Sequence, residues 1–308
     1  MSRSVAAVIV AYASNAELPG CLDSLRGRVG QAVVVDNCPV SPVPAGLRAR
    51  HPEVVWIDNP VNRGFAGAVN QGVAATTAPF VLLFNPDCEL LTGVGSLVDL
   101  CELDRVAGAG GLLLRADGRP QTGFFCRSLP TPQALALEAL GVNRLWPSNP
   151  VNRRLRLLDL DPSASCEVEQ PAGAFLMLRR DALDELGGLD EGFHPLWFED
   201  ADLCRRLRDA GYALRYSPAA KATHAGAHSV RELSLQARLE AWYGGLLRYA
   251  EKHFSRGAYR RVRVAVLVGL LLRKVYCLGR GGGSGEAEAY GAMFRLVRRG
   301  FALGAKAS

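Results

Sequence analysis

The stretch Phe80-Val-Leu-Leu-Phe-Asn-Pro-Asp87 is the most informative part of the sequence for the fold. Five consecutive apolar residues are expected for a strand that is buried on both faces of a parallel sheet. A polar Asn85-Pro-Asp87 turn follows directly, and open α/β sheets bind ligands beyond the carboxyl ends of their strands. Because oxygen ligands suit hard cations, Asp87 is a candidate ligand for Mg²⁺ or Mn²⁺. The alternative is an ordinary Asx-Pro turn.

Three earlier apolar runs share this pattern, since each ends in a polar residue: Tyr12, Asp36 and Asp58. Segments with helical spacing lie between the runs, as at residues 18–25 and 67–75. Strands that alternate with helices predict an α/β fold, with a mainly parallel central sheet covered on both faces. The series of polar strand ends therefore predicts one ligand site along one edge of the sheet.

The remaining sequence predicts a second half and a helical end. Residues 119–169 are rich in proline and predict a loop-rich insertion, whereas residues 173–178 predict another buried strand. From residue 231 the pattern is helical, with no further clear strand. We therefore expect an α/β domain at 1–230, with a nucleotide-sugar half at 1–118 and an acceptor half at 119–230, and a helical C-terminal region at 231–308.

Composition narrows the class of protein. With 49% hydrophobic and 21% charged residues, the chain of 308 residues can bury a sizeable core, which excludes global disorder. Eight scattered cysteines without a CxxC pair predict buried thiols in a reducing compartment and exclude a cysteine zinc site. The net charge of +6 is concentrated in the last third of the chain. It predicts a solvated face or an anionic partner such as lipid, and no nucleic acid is expected.

No segment predicts a membrane span. The run from Val264 to Leu272 is too short to cross a bilayer. Val262, Val266 and Leu270 fall on one helical line beside several arginines, the pattern of a basic amphipathic helix on an anionic membrane. Core packing or dimerisation by this helix is the alternative. We expect a cytoplasmic protein with peripheral contact at the inner face of the cell membrane.

The stretch Trp197-Phe-Glu-Asp-Ala-Asp202 places three carboxylates at the start of a predicted helix. N-terminal capping and the helix dipole explain at least one of them. The two preceding aromatic residues predict a partly desolvated site, which raises a carboxylate pKa towards that of a useful base. Glu199 and Asp200 are therefore candidate catalytic residues.

The segment Lys221-Ala-Thr-His224-Ala-Gly-Ala-His228-Ser229 gathers imidazole, hydroxyl and ammonium groups in what we expect to be a small flexible stretch. His224 is a candidate metal ligand or phosphate contact, although a lone histidine is more often structural.

The stretch Asn62-Arg-Gly-Phe-Ala-Gly-Ala-Val-Asn70 offers glycines at positions where backbone can approach a ligand, and a helix start that can bind a diphosphate. It matches neither a P-loop nor GxGxxG, which disfavours an NAD enzyme.

Taken in order, these motifs resemble the family 2 glycosyltransferases of the GT-A fold, and they are most similar to the bacterial rhamnosyltransferase-like branch. The resemblance runs from about residue 5 to 229, roughly three quarters of the chain. It implies a nucleotide-binding GT-A fold in which Tyr12 and Asp36 hold the base and ribose. It also implies that Asn62, Gly64 and Asn70 line the nucleotide pocket.

The resemblance further assigns the metal and the base. Asn85-Pro-Asp87 stands where the family has Asp-x-Asp, so that Asp87 is the charged ligand of a divalent metal and Asn85 replaces the first acid. His224 matches a late histidine that completes the metal site in several relatives, and Asp200 matches the base beside Glu199. One metal site and one base imply a single displacement with inversion.

The implied donor is a dTDP-sugar or UDP-sugar, with dTDP-rhamnose favoured, and the implied acceptor is a glycan or lipid-linked hydroxyl in cell-envelope polysaccharide synthesis. One alternative is a nucleotidyltransferase, but residues 11–15 lack the basic loop that such enzymes have after the first strand. The other is a catalytically inactive sugar-nucleotide-binding module.

Overall fold

The computed structural model describes residues 4–226, 233–280 and 284–300. The strands are β1 (Val5–Ala11), β2 (Gln31–Asp36), β3 (Val55–Asp58), β4 (Phe80–Phe84), β5 (Cys88–Leu90), β6 (Val106–Leu114), β7 (Cys126–Arg127), β8 (Cys166–Val168), β9 (Gln170–Pro171), β10 (Phe175–Arg179) and β11 (Ala213–His224). The helices are α1 (Leu18–Leu25), α2 (Ala45–Arg50), α3 (Gly64–Ala74), α4 (Gly95–Cys101), α5 (Pro132–Leu140), α6 (Val142–Leu145), α7 (Pro150–Leu155), α8 (Arg180–Glu185), α9 (Glu199–Asp209), α10 (Leu235–His253), α11 (Arg256–Gly279) and α12 (Ser284–Arg299).

The central sheet has the strand order β3-β2-β1-β4-β10-β6-β11-β5, and β8 pairs with β11. The neighbours β3, β2, β1 and β4 are parallel to one another, and β6 is parallel to β11. Because β10 is antiparallel to both β4 and β6, these two strands also point in the same direction. Six of the nine strands are thus co-directional, and the predicted mainly parallel sheet is confirmed.

Strand β1 shows why the sheet is covered on both faces, since all seven of its residues are buried. Its side chains alternate between two apolar cores, with Ile9 on the face that packs α1 and Val8 on the face that packs α3. Full burial of an aliphatic side chain of this size is worth about 1.5–3 kcal/mol. A Cβ on Gly72 would lie 2.4 Å from Cγ1 of Val8, so that α3 approaches the sheet at backbone distance.

The helical end packs against the second half of the α/β domain. A third apolar core joins α10, α11 and α12 to α5 and to Phe193 and Phe198. A Cβ on Gly269 of α11 would lie 2.0 Å from the carbonyl oxygen of Ala139 in α5, so these two helices touch at their backbones. Within the described residues, no helix is long and apolar enough to cross a membrane.

Several local expectations are corrected by the structure. The segment that includes Lys221 and His224 was expected to be flexible, but it forms the last part of β11 and pairs with β5 and β6. His228 and Ser229 lie outside the described residues. Val262, Val266 and Leu270, expected on a membrane-facing line, are fully buried in the third core.

Candidate active site

The carboxyl ends of the parallel strands meet at one edge of the sheet, as the polar strand ends predict. Asp36 at the end of β2 lies in register with Ala11 of β1 and with Asp58 of β3. The amide of Asn37 donates to the carbonyl of Ala11 at 2.8 Å, which brings Tyr12 beside the end of β2. Tyr12, Asp36 and Asp58 therefore end three neighbouring strands at this half of the edge.

A cleft of about 330 Å³ opens beside Asp36, in the size range of small-molecule sites. The Asp36 carboxylate accepts hydrogen bonds from the amides of Val43 (2.6 Å) and Cys38 (3.3 Å), and Arg48 lies 3.2 Å away. Arg48 also pairs with Asp58, an ion pair that raises the pKa of Arg48 and lowers that of Asp58. No sequence motif had pointed to Arg48, which the short helix α2 brings into the cleft.

A network of amide side chains shapes the loop before α3. Asn62 Oδ1 accepts from the Gly64 amide at 2.8 Å and from Asn37 Nδ2 at 2.9 Å. Asn37 Oδ1 in turn accepts from the amide of Arg63 and from Asn59 Nδ2. Asn62 therefore fixes the loop, and its contact with a nucleotide stays a prediction.

Gly64, at the start of α3, and Asn70, in the middle of this helix, both face the loop at residues 189–195. Gly64 has φ +73° and its Cβ would lie 2.8 Å from Cδ2 of His194, so that only glycine fits. The Asn70 side chain exchanges two hydrogen bonds of 2.9 Å with the backbone of Leu189. Because both of its amide groups are engaged there, Asn70 joins α3 to this loop.

The predicted metal ligands come together because β5 and β11 pair, with His224 opposite Cys88. His224 Nε2 lies 3.6 Å from Asp87 Oδ1, and Asp87 Oδ2 accepts from the Gly226 amide at 2.9 Å. The possible ligand atoms of Asp87, Cys88 and His224 all lie within 4.8 Å of one another.

Gln121 and Phe124 hold the His224 ring. Gln121 Nε2 donates to the His224 carbonyl at 2.6 Å, so that Gln121 Oε1 faces His224 Nδ1 at 2.9 Å. Nδ1 then carries the hydrogen, and the lone pair of Nε2 is directed towards Asp87. The Phe124 ring stacks on the imidazole at 4.9 Å. Burial lowers the pKa of His224, and the Asp87 charge only partly offsets this, which favours the neutral imidazole that a metal requires.

The donor set fits a hard divalent cation. The Asp87 carboxylate suits Mg²⁺ or Mn²⁺, and the His224 imidazole, a ligand more typical of transition metals, favours Mn²⁺ of the two. Burial raises the pKa of the Cys88 thiol well above its usual range, and its Sγ lies 3.6 Å from the carbonyl oxygen of Ala174. A protonated thiol is a poor ligand for such a cation, so that Asp87 and His224 are the residues that would hold it.

The predicted catalytic acids follow a strained turn. Trp197 and Phe198, directly before α9, both have left-handed backbones with φ of +79° and +72°. Such conformations are costly for bulky residues and cluster at functional sites. Trp242 of α10 contacts both rings, and Gly245 lets α10 approach, since its Cβ would lie 2.7 Å from the Trp197 carbonyl oxygen.

The carboxyls of Glu199 and Asp200 differ in environment. Glu199 is buried, its Oε2 has no hydrogen-bond partner among the described residues, and burial together with the Asp200 charge raises its pKa to about 8. Asp200 is partly exposed, and its Oδ1 accepts from the Ala201 amide at 2.7 Å. Oδ2 is therefore the freer oxygen of Asp200, and it belongs to the more exposed of the two acids.

A short segment before β10 joins the candidate base, Asp200, to the candidate metal ligands. A Cβ on Gly173 would lie 3.3 Å from Cβ of Asp200, so that Asp200 packs directly over this glycine. The next carbonyl, of Ala174, accepts from the Asn85 amide at 3.0 Å. Asp200 and the Asn85-Pro-Asp87 turn thus flank the same two residues.

Two further charged residues, Asp202 and Arg127, lie near the candidate acids. Asp202, the third acid of the motif, is fully buried and bound by Arg206, Lys252 and His253, each at 2.8 Å, so it holds α9 against α10. Arg127 lies over the Phe124 ring, and burial lowers its pKa while the Asp200 charge partly offsets this. Gln121, Phe124 and Arg127 carried no sequence signal, because they lie in the loop-rich insertion.

Comparison with known proteins identifies the family. The family described as Glycosyl transferase family 2 matches residues 6–187, and Glycosyl transferase family group 2 matches residues 163–282. An N-acetylglucosaminyl-diphospho-decaprenol L-rhamnosyltransferase of Mycobacterium tuberculosis is 29% identical over 245 residues, which cover 74% of this chain and 78% of the relative. The rhamnosyltransferase WbbL of Escherichia coli is 37% identical over 158 residues, 49% of this chain and 54% of that protein.

Solved structures agree on the fold. GalNAc-T7 with UDP, GalNAc and Mn²⁺ superposes with a TM-score of 0.57 at 15% identity, over 97% of this chain and 56% of that one. The mannosyltransferase PcManGT of Pyrobaculum calidifontis, in complex with GDP-Man and Mn²⁺, gives 0.53 at 14% identity, over 97% and 83%. The chain belongs to the family 2 glycosyltransferases, in their rhamnosyltransferase-like branch, and has the GT-A fold.

Proposed function

We propose that this family 2 glycosyltransferase moves a sugar, with rhamnose favoured, from a nucleoside-diphosphate donor to a hydroxyl of a glycan or lipid-linked acceptor, with inversion. The observation that carries the proposal is the position of Asp87 with His224 and of Asp200 on either side of Gly173 and Ala174. A diphosphate leaving group and an acceptor hydroxyl need a cation site and a base at adjacent places.

The donor would lie along the edge that begins at Tyr12. We assign the base and ribose to Tyr12 and to the cleft beside Asp36, because the cleft combines a buried carboxylate with the walls of a small-molecule site. Asn62 and Gly64 would shape the loop next to the diphosphate. Asn70 would hold α3 against the loop at residues 189–195 through its hydrogen bond to Leu189.

Asp87 and His224 would hold the divalent cation, with Asn85 beside them. When bound, Mg²⁺ or Mn²⁺ offsets the negative charge that develops on the diphosphate as the glycosidic bond breaks. The role of the protein is to keep these two ligands at a fixed separation, which Gly226 does for Asp87 and Gln121 does for His224.

Asp200 would act as the base. Its Oδ1 is engaged by the Ala201 amide, and its Oδ2 would take the proton of the acceptor hydroxyl as the oxygen attacks the sugar carbon. Glu199, with a pKa of about 8, is mostly neutral at pH 7 and does not add a second negative charge beside the base. Because the neighbouring Glu199 is mostly neutral, it is not a nucleophile that could form a covalent sugar intermediate. We therefore favour a single displacement, which inverts the configuration at the anomeric carbon.

The substrates are proposed from the relatives. The Mycobacterium tuberculosis relative is a rhamnosyltransferase whose name gives a diphospho-decaprenol acceptor. By analogy, we propose dTDP-rhamnose as donor, with UDP-sugars next, and a polyprenyl-linked glycan as acceptor in cell-envelope polysaccharide synthesis. The enzyme would then work in the cytoplasm, on the inner face of the membrane.

The first test is thermal unfolding with UDP, dTDP and GDP, each with and without Mn²⁺. A nucleotide at about a hundred times its dissociation constant stabilises the folded chain by roughly 2.7 kcal/mol. We expect Mn²⁺-dependent stabilisation by dTDP or UDP that Asp87→Ala abolishes and that the exposed control Asp104→Ala retains. Absence of stabilisation by every nucleotide would refute an active transferase and an inactive sugar-nucleotide-binding module alike.

The second test separates binding from chemistry. Asp200→Asn removes the base but keeps the shape of the side chain, so that we expect wild-type stabilisation by nucleotide and Mn²⁺. Transfer of radiolabelled rhamnose from its dTDP donor to a polyprenyl-diphosphate acceptor should fall by about 10²–10⁴. An active Asp200→Asn enzyme would contradict the assignment of the base.

A further inference from the structure

We infer that the outward side of α11 docks onto the surface of an anionic lipid bilayer. This side is the outer apolar face, and it consists of Val264, Val268, Leu271, Leu272, Val275 and Leu278. The inference rests on the proposed function, because it places a transferase for a lipid-linked acceptor at the membrane. The outer apolar face lies on the opposite side of α11 from Val262, Val266 and Leu270, the line that the sequence suggests for the membrane.

The outer apolar face is exposed by 41–59% at each of its six residues. The opposite side of the same helix carries Val262, Val266 and Leu270, which are fully buried against neighbouring helices. Helix α11 is therefore apolar on both sides, although only one side has a partner among the residues that the structure describes. A helix that is apolar on all sides is normally covered on all sides.

The dimensions suit a helix that lies in a membrane interface. Fourteen residue steps separate Val264 from Leu278, which is about 21 Å at the rise of an α-helix.

The charges of α11 decide between the candidate partners. The helix contains six basic residues and no acidic residue. Arg260 and Arg261 lie one turn before the outer apolar face, are exposed, and form no ion pair with any residue that the structure describes. A second copy of the chain would present the same positive charges and would be repelled, whereas an anionic bilayer complements them.

The test is vesicle binding by the full chain. Wild type should sediment with vesicles of phosphatidylglycerol and phosphatidylcholine, more weakly with pure phosphatidylcholine, and less in high salt. Leu271→Ser with Val275→Ser should lower the partition coefficient by about tenfold for each side chain that no longer enters the lipid. Arg260→Gln with Arg261→Gln should remove the preference for anionic vesicles, and the exposed control Leu103→Ser should bind as wild type does.

Two results would overturn the inference. One is vesicle binding that is absent in wild type or unchanged in the Leu271→Ser/Val275→Ser variant. The other is a wild-type dimer that this variant converts to a monomer, because the outer apolar face would then join two copies. Stabilisation by nucleotide and Mn²⁺ should remain at the wild-type level in every α11 variant, so that failure of this inference can be told apart from failure of the proposed function.

Discussion

Replacing Glu199 by glutamine should stabilise the enzyme at neutral pH. Glu199 is buried beside Asp200, and one of its oxygens has no hydrogen-bond partner among the described residues. Burial raises its pKa from 4.5 to about 8, with a further contribution from the Asp200 charge. Between these two values the folded chain keeps a proton that the unfolded chain has released.

The size of the effect follows from proton linkage. Because the folded state binds the extra proton, the free energy of unfolding falls by about 1.4 kcal/mol for each pH unit above 4.5, and the fall ends near pH 8. At pH 7 this amounts to a loss of about 3 kcal/mol at most. Glutamine has the same shape and no charge, so Glu199→Gln should recover this free energy. Below the unfolded pKa both states are protonated, and the advantage should vanish.

Urea unfolding followed by tryptophan fluorescence measures this difference. We expect Glu199→Gln to exceed wild type slightly at about pH 5, by up to about 3 kcal/mol at pH 7, and by more at about pH 8.5. The exposed control Glu102→Gln should show no such trend with pH. A gap between Glu199→Gln and wild type that does not grow with pH would refute a buried, protonated Glu199.

Three further predictions concern side chains around the site. Gln121→Leu removes the group that orients His224 and should weaken Mn²⁺ binding in the presence of nucleotide by about 10–100-fold, measured by calorimetry. Gly173→Ala should lower kcat about tenfold or more with little change in thermal stability, because the new Cβ would lie 3.3 Å from Cβ of Asp200; an unchanged kcat would refute tight packing there. Asp202→Asn should lower the free energy of unfolding by about 3–5 kcal/mol, since it leaves Arg206 and Lys252 without their buried counter-charge, and a loss below about 1 kcal/mol in urea would contradict this.

The sheet edge could be predicted because its information is local. The buried strands β2 and β4 are mostly apolar, and each ends at or directly before a polar residue, Asp36 in β2 and Asn85 after β4. Parallel strands then bring these ends together without any knowledge of distant contacts. The strand β6 was missed because five glycines and alanines weaken its apolar signal, although the close approach of Pro171 and Phe175 requires its small residues.

The supporting side chains could not be predicted because their partners are distant in sequence. Gln121 is 103 residues from His224, and nothing in the proline-rich insertion indicates that its amide orients an imidazole. The acids of α9 look alike in sequence, yet helix geometry directs Asp202 towards α10 and leaves Asp200 at the site. The same limit applies to α11, whose two apolar sides can be told apart only once α5 and α10 are seen to cover one of them.

The helical end supports the segment that carries the proposed base and is also the proposed membrane contact. Left-handed backbones at Trp197 and Phe198 cost about 1–3 kcal/mol each, and they persist only where surrounding contacts determine them. Trp242 and Gly245 supply those contacts from α10, and His253 ties the same helix to Asp202 in the first turn of α9. Because Asp200 lies between these attachments, its position depends on α10. Since α10 and α11 share one apolar core, the surface proposed to meet the bilayer and the proposed base belong to one packed unit.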